Sequence, residues 1–185
     1  LNLLDCCLVT DHGGAVVIVA KEQAAEYKND PVWIEGSGEA ISHINMSQME
    51  DMTMTSAHLS SKRAYEIAGM GPKDMEMAML YDSFTYTAGV TAEMVGLAPR
   101  GEGTNLWKNG LASPGGKFPI NTNGGGLSYS HSGMYGMLLL VEAQRQLAGK
   151  AIGLDGRQTT AKSAIVNGTG GPLASTGTII LTVDR

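Results

Sequence analysis

Apolar positions along the chain fall into short runs with two different periods. Met75–Leu80 alternates toward a strand, and Ser163–Val166 and Thr178–Val183 are β-branched runs of strand length. The Val16-Val17-Ile18-Val19 run is continuous, so Ala15–Ala20 reads as a strand covered on both faces, entered through an extended Cys6–Val9 and a tight turn at Thr10–Gly14. Glu22–Tyr27 reads as a short helix and Pro31–Glu35 as a further strand. Ser56–Gly69 carries Leu59, Ala64, Ile67 and Ala68 at helical spacing with Gly69 at the stop. Thr85–Leu97 is a second helix. A third begins near Met137, carries Leu138, Val141 and Leu147, and stops near Gly149. This order of strands and helices predicts an α/β fold, a mixed β-sheet with helices on both faces.

The segments between these elements carry the candidate chemistry. Ser42–Thr55 is polar and methionine-rich without a period, which predicts a connecting or substrate-lining loop. Pro99–Pro119 is rich in Gly, Pro, Asn and Lys around Trp107, and a loop of that length suits a cover over a substrate. Asn121–Gly136 holds three consecutive glycines, Gly124 to Gly126, then His131 and Tyr135 just as the helical pattern starts. A glycine loop delivered to a helix N-terminus suits an oxyanion, an enolate or a phosphate, because the N–H groups there lack intrahelical partners.

Composition narrows the classes. With 185 residues and 43% hydrophobic content the chain can bury one substantial core. A net charge of −5 without a basic cluster argues against a nucleic-acid partner. No apolar run approaches the roughly 20 residues of a membrane span and no leader pattern opens the chain, so a cytoplasmic protein off the membrane is expected. Cys6 and Cys7 are adjacent, which suits neither an ordinary disulfide nor a CxxC metal site and predicts reduced, buried core cysteines. His12 reads as a turn residue. Leu1 opens directly into strand-like sequence, as if a longer chain had been cut.

The Asn121–Gly136 segment resembles the third of four active-site segments of the thiolase superfamily, roughly Asn-x-x-Gly-Gly-x-Ile/Leu-x-x-Gly-His-Pro-x-Gly-x-x-Gly. The Asn, the glycines, Leu127 and His131 match; Ser130 replaces a Gly, Ser132 replaces the Pro, and one residue is missing before Gly133. Tyr81-Asp82-Ser83-Phe84 resembles the Asn-Glu-Ala-Phe or His-Asp-Cys-Phe segment at a strand end. Asn167–Gly171, read as a glycine turn, falls where most thiolases carry Cys-x-Gly-Gly-Gly, and brings no cysteine. These departures point to the lipid-transfer-protein branch, including the steroid side-chain-cleaving aldolases.

What the resemblance implies is an expectation throughout. Residues 42–185 would form a thiolase-like C-terminal domain, and residues 1–41 the end of the N-terminal half. The activity would be retro-aldol cleavage of a bulky, steroid-type β-hydroxyacyl-CoA to a ketone and propionyl-CoA, with the CoA thioester as substrate, no other cofactor and no metal. Tyr135 would be the leading acid/base if the site lowers its pKa from about 10. Tyr81 would be a second acid or oxyanion donor, and His131 would orient Tyr135 or donate to the thioester oxygen. Gly125, Gly126, Gly170 and Gly171 would bind substrate through backbone N–H groups, while Asp82 would anchor its loop. The branch implies a homodimer with a small OB-fold partner, and a fragment inactive by itself. The alternatives are an acetyl-CoA acyltransferase with an upstream cysteine, and a non-catalytic acyl-CoA or lipid carrier or assembly subunit.

Overall fold

The computed structural model describes residues 1–153, 156–171 and 173–183. Four strands form one mixed sheet: β1 (Trp33–Ile41), β2 (Met77–Leu80), β3 (Ser163–Gly170) and β4 (Ser175–Thr182), in the order β1-β4-β3-β2. The β1–β4 and β3–β4 pairs are antiparallel, and β2 runs parallel to β3 with Leu80 beside Asn167. Strand period separates two cores. In β2, Ala78 and Leu80 face the layer of α1 (Ala57–Ala68) and α2 (Thr85–Met94), while Met77 and Met79 face the helix Tyr135–Leu147. That helix is α4; a single turn, α3 (Gly125–Ser128), precedes it. Helices therefore cover both faces, as the pattern of elements predicts.

Helix α1 lies close on the sheet because β1 brings glycine to the contact. A Cβ on Gly36 would sit 2.2 Å from the Ala64 carbonyl oxygen, and one on Gly38 2.2 Å from that of Ser60. Buried hydroxyls finish the seam: Ser60 Oγ lies 2.8 Å from both Thr176 Oγ1 and Thr178 Oγ1, and Asn167 Nδ2 donates to Thr178 Oγ1 at 2.7 Å. Gly69, at φ 65°, ends α1 as expected.

Several expected boundaries move. Ala15–Ala20 belongs to no strand, and Val17 and Ile18 are 83% and 69% exposed, so the apolar run is extended but unpaired among the described residues. The strand read at Pro31–Glu35 runs instead from Trp33 to Ile41, since Gly36 and Gly38 that look like breakers are what the α1 contact requires. Helix α2 stops at Met94 rather than Leu97, with Gly96 in the left-handed region at φ 81°. Asn167–Gly171 is not a turn: β3 continues through Gly170, paired with Ser175, and the reversal begins at exposed Gly171, φ 57°. Alternating Thr and Gly read as punctuation in isolation, but here the ladder with β4 satisfies their backbone groups.

Gly38→Ala forces a methyl into the Ser60 carbonyl, a backbone atom that cannot step aside. It should lower unfolding free energy by about 2 kcal/mol or more, seen as a lower urea midpoint at unchanged m-value. An unchanged midpoint would mean that α1 does not sit on β1 at this distance.

Candidate active site

Four stretches of chain converge beyond the carboxyl end of β2. Asn121 makes the junction: its side-chain amide accepts from Leu80 N at 2.8 Å and donates to Leu80 O at 2.8 Å, continuing the sheet like an added peptide. The backbone before it already runs beside β2, with Ala78 N donating to Pro119 O and Asn121 N to Ala78 O, each at 3.0 Å. Thr122 is tied to α4 by its hydroxyl, which donates to buried Glu142 at 2.6 Å, and Glu142 in turn pairs with Arg157 at 2.5 Å. So the glycine turn starts from a fixed point beside the strand end that carries Tyr81 and Asp82.

Glycine then permits contacts that no side chain would. Gly126 N donates to Asp82 Oδ1 at 2.7 Å and Leu127 N to Asp82 Oδ2 at 3.3 Å. A Cβ on Gly125, φ 67°, would lie 2.0 Å from Asp82 Oδ2, and one on Gly126 would lie 2.7 Å from His131 Cδ2. The expected substrate-binding glycines thus separate by role. Gly125 and Gly126 make room for Asp82 and His131, and the Gly126 N–H is already engaged. Gly170 is in the β-ladder and Gly171 starts the turn after it. Gly168 is the glycine of that stretch that reaches the site, its would-be Cβ 3.5 Å from Gly136 Cα at the start of α4.

Tyr81, His131 and Tyr135, far apart in sequence, form one aromatic cluster. Tyr81 meets His131 edge-on at 5.2 Å and Tyr135 at 5.6 Å between ring centroids, and His131 stacks on Tyr135 at 5.5 Å. Tyr135 is fully buried. His131 Nε2 and Tyr135 Oη are buried without a hydrogen-bond partner among the described residues. Asn123 approaches closely enough to draw the Tyr135 pKa down slightly, short of hydrogen-bond geometry. Asn167 Oδ1, on the neighbouring strand, is buried and open too, and buried polar atoms left open are costly unless something polar meets them.

Electrostatics corrects one expectation. Burial, reinforced by the Asp82 charge, pushes the Tyr135 hydroxyl well above the ordinary range of 10 rather than below it. Burial also raises Tyr81, with Cys7 and Asp82 adding to the shift. Burial lowers His131 from 6.5, partly offset by a backbone hydrogen bond. At neutral pH the cluster therefore holds two protonated phenols and a neutral imidazole.

The N-terminal segment closes the site and brings residues that sequence reasoning passed over. Cys7 N donates to Ser83 O at 2.9 Å and Leu8 N to Gly126 O at 3.0 Å. The His131 peptide N–H donates to Thr10 Oγ1 at 3.0 Å; Thr10 Oγ1 lies 2.9 Å from Ser130 Oγ, and His12 Nδ1 3.0 Å from the same Ser130 oxygen. His12 is thus part of the clasp around His131 and more than a turn residue. Cys6 and Cys7 are half-buried at this seam rather than core residues, and burial raises the Cys7 thiol, keeping it protonated. These contacts join residues 76 or more positions apart, so no local pattern announces them.

Residues 38–183 match the family model described as thiolase C-terminal domain-like. The chain belongs to that thiolase family. It is 32% identical over 190 aligned positions to the steroid side-chain-cleaving aldolase of Thermomonospora curvata, a match covering all of this chain and 47% of that protein. It is 29% identical over 153 positions to an acetyl-CoA acetyltransferase of Methanothermobacter thermautotrophicus, covering 82% of this chain and 40% of that one. A solved structure titled Ltp2-ChsH2(DUF35) aldolase superposes with a TM-score of 0.83 at 28% identity, over the whole chain and 48% of its own. This thiolase-family chain therefore spans about half the length, or less, of these relatives.

Two clefts flank the aromatic cluster. One of about 480 Å³ is walled by Asp82, Thr85, Thr104, Trp107, Asn121 and Leu127, so the Trp107 loop does roof a cavity beside the strand end. Another of about 500 Å³ opens beside His12, Asn123 and Tyr129. A third, about 550 Å³, lies between the 15–19 and 29–34 segments and α4; none of these three clefts is lined by Tyr81, His131 or Tyr135 themselves. Among the described residues no helix is long and apolar enough to cross a membrane, and no group of three or more His, Cys, Asp or Glu could hold a metal ion.

Burial lifts the Asp82 carboxyl from 3.8 to about 6, against the pull of its hydrogen bonds from Gly126 and Leu127. The folded chain therefore binds this proton more tightly than the unfolded chain. Asp82's contribution to stability is greatest below about pH 4 and declines until about pH 6, by roughly 2–3 kcal/mol. Denaturant midpoints of the wild type, measured relative to Asp82→Asn, should fall across that window and level off above it. A difference independent of pH would contradict the burial of an ionising carboxylate here.

Proposed function

We propose that this chain supplies the catalytic half of a carbon–carbon lyase that cleaves a bulky β-hydroxyacyl-CoA thioester by a retro-aldol reaction. The observation that carries the reading is the stacking of the His131 and Tyr135 rings with Tyr135 Oη and His131 Nε2 each buried and open, Tyr81 against both rings, and no cysteine at Asn167 or Gly168. The match of the whole of this chain to 47% of a steroid side-chain-cleaving aldolase supports a steroid-type acyl group, with a ketone and a short thioester such as propionyl-CoA as products.

The protonation states divide the work. The substrate hydroxyl gives its proton to neutral His131, the bond between the carbinol carbon and the α-carbon breaks, and its electron pair passes into the thioester as an enolate. Protonated Tyr81 donates a hydrogen bond to the enolate oxygen, and Tyr135 delivers a proton to the α-carbon. The imidazolium then returns a proton to the tyrosinate, so the site ends as it began. The raised tyrosine pKa values keep both phenols protonated at neutral pH, so each has a proton to offer the strongly basic enolate, and a tyrosinate left behind readily takes its proton back from the imidazolium. No further cofactor enters the balance.

A thiolase cycle would need a nucleophilic cysteine and a second base. The acetyltransferase relative keeps that reading in view, but Cys7 is held as a thiol by burial and Asn167 stands in the ladder where the second cysteine is expected. The aldolase structure is titled with a DUF35 component, which supports a partner of that kind, expected to be an OB-fold protein, on a homodimer of the full-length protein.

Full-length protein with its partner, given a steroid β-hydroxyacyl-CoA without free CoA, should release a short CoA thioester detectable by mass spectrometry. Tyr135→Phe should lower kcat by about 10²–10⁴-fold, the size of a lost proton transfer. Release that depends on added CoA would return the protein to the acyltransferases, and an unaffected Phe variant would remove Tyr135 from the chemistry.

A further inference from the structure

Asp82 takes no part in the proton transfers above, yet its carboxylate is kept in a place that favours the neutral form. It is only 3% exposed, and none of the ion pairs among the described residues involves it. Its carboxylate oxygens accept the peptide N–H groups of Gly126 and Leu127. The groups that feel its charge are Cys7 from the N-terminal segment, Tyr81 from its own strand end and Tyr135 from α4, all of them protonated and neutral around pH 7. On the cavity side, Thr85, Thr104, Trp107, Thr122 and Ser128 bring no charge. The uncharged Asn121 side chain also acts on it, so the carboxylate faces only dipoles, and it grips them strongly when ionised and much less when protonated.

What it grips bears on the reacting imidazole. His131 Cδ2 lies 2.7 Å from where a Cβ of Gly126 would be, so the ring packs against Gly126 closely enough to exclude any side chain there. From the other side Leu8 N donates to Gly126 O and Thr10 Oγ1 accepts from the His131 peptide. Gly126 is thus clamped between Asp82 and the N-terminal segment, and His131 is seated on the clamp. We infer that Asp82 is a positioning residue: its ionised carboxylate holds the glycine turn, and through Gly126 the His131 ring, in the arrangement that reacts with substrate. Gly125 and Gly126 are then glycines for the sake of this carboxylate and this ring, since a methyl on either would strike one of them. The site is assembled when Asp82 is charged and loosens as it takes up a proton. The inference rests on the proposed role of His131 only for its kinetic readout.

The test uses the full-length protein with its partner, labelled with ¹⁵N-glycine, and follows the Gly126 amide resonance from pH 5 to 8. An inflection near pH 6 is expected in the wild type and in His131→Gln, and none in Asp82→Asn. At pH 7.5 Asp82→Asn should lose on the order of 10²-fold in kcat, as for a catalytic group displaced by about 1 Å, with KM changed by less than about threefold. If Asp82→Asn fails to fold, Gly126→Ala displaces the same ring from the opposite side and should show the same split between kcat and KM. A Gly126 amide that does not titrate, or either variant folded with wild-type kcat, overturns the inference. An inflection at Gly126 in a protein that releases no thioester leaves the positioning role standing and removes the lyase reading.

Discussion

Two stretches of backbone can lie in contact only where one of them carries no Cβ, and this constraint organises both the scaffold and the site. Gly36 and Gly38 let α1 rest on β1, Gly136 and Gly168 let the first turn of α4 meet the end of β3, and Gly125 and Gly126 let a carboxylate and an imidazole press against a turn. Each contact shortens the distance between elements whose ends carry functional side chains. A Cβ on Gly36 or Gly38 would strike the α1 backbone at 2.2 Å, while one on Gly168 or Gly136 would sit at ordinary van der Waals distance, 3.5 or 3.8 Å, from the other's Cα. The high glycine content is therefore concentrated at contacts, and only part of it serves turns.

Inside that frame the reacting groups themselves are uncharged. The cluster of two phenols and an imidazole, with Tyr135 buried and Tyr81 and His131 half-buried, carries no net charge at neutral pH, and Asp82 beside it favours the protonated form of each phenol. Such a site is suited to moving protons around a neutral alcohol and a thioester enolate. It is poorly suited to generating a thiolate, which burial opposes at Cys7. Geometry and electrostatics thus suit the proposed retro-aldol reaction, which needs no covalent acyl intermediate.

Much of this was legible in the sequence where the signal is local. The α1 helix and its Gly69 stop, the core strand Met77–Leu80, and the convergence of Tyr81, His131 and Tyr135 follow from periodicity and from three short motifs. What stayed hidden depends on partners distant along the chain. Val16–Val19 has the composition of a buried strand, but a strand exists only with a neighbour to pair with, and none of the described residues provides one. The Thr-Gly alternation of Asn167–Gly170 looks like a turn until β4 lies beside it. Thr10, His12 and Ser130 are ordinary polar residues whose role arises from hydrogen bonds across about 120 positions. The direction of the tyrosine shifts depends on burial, which composition does not reveal.

The most direct measurement of the central claim is a crystal structure of the full-length protein with a slowly reacting β-hydroxyacyl thioester. The account places the substrate hydroxyl within hydrogen-bond reach of His131 Nε2, about 2.6–3.2 Å, and the α-carbon on the side of Tyr135 Oη. A thioester seated elsewhere, with both of those atoms still unpartnered beneath it, would contradict the account.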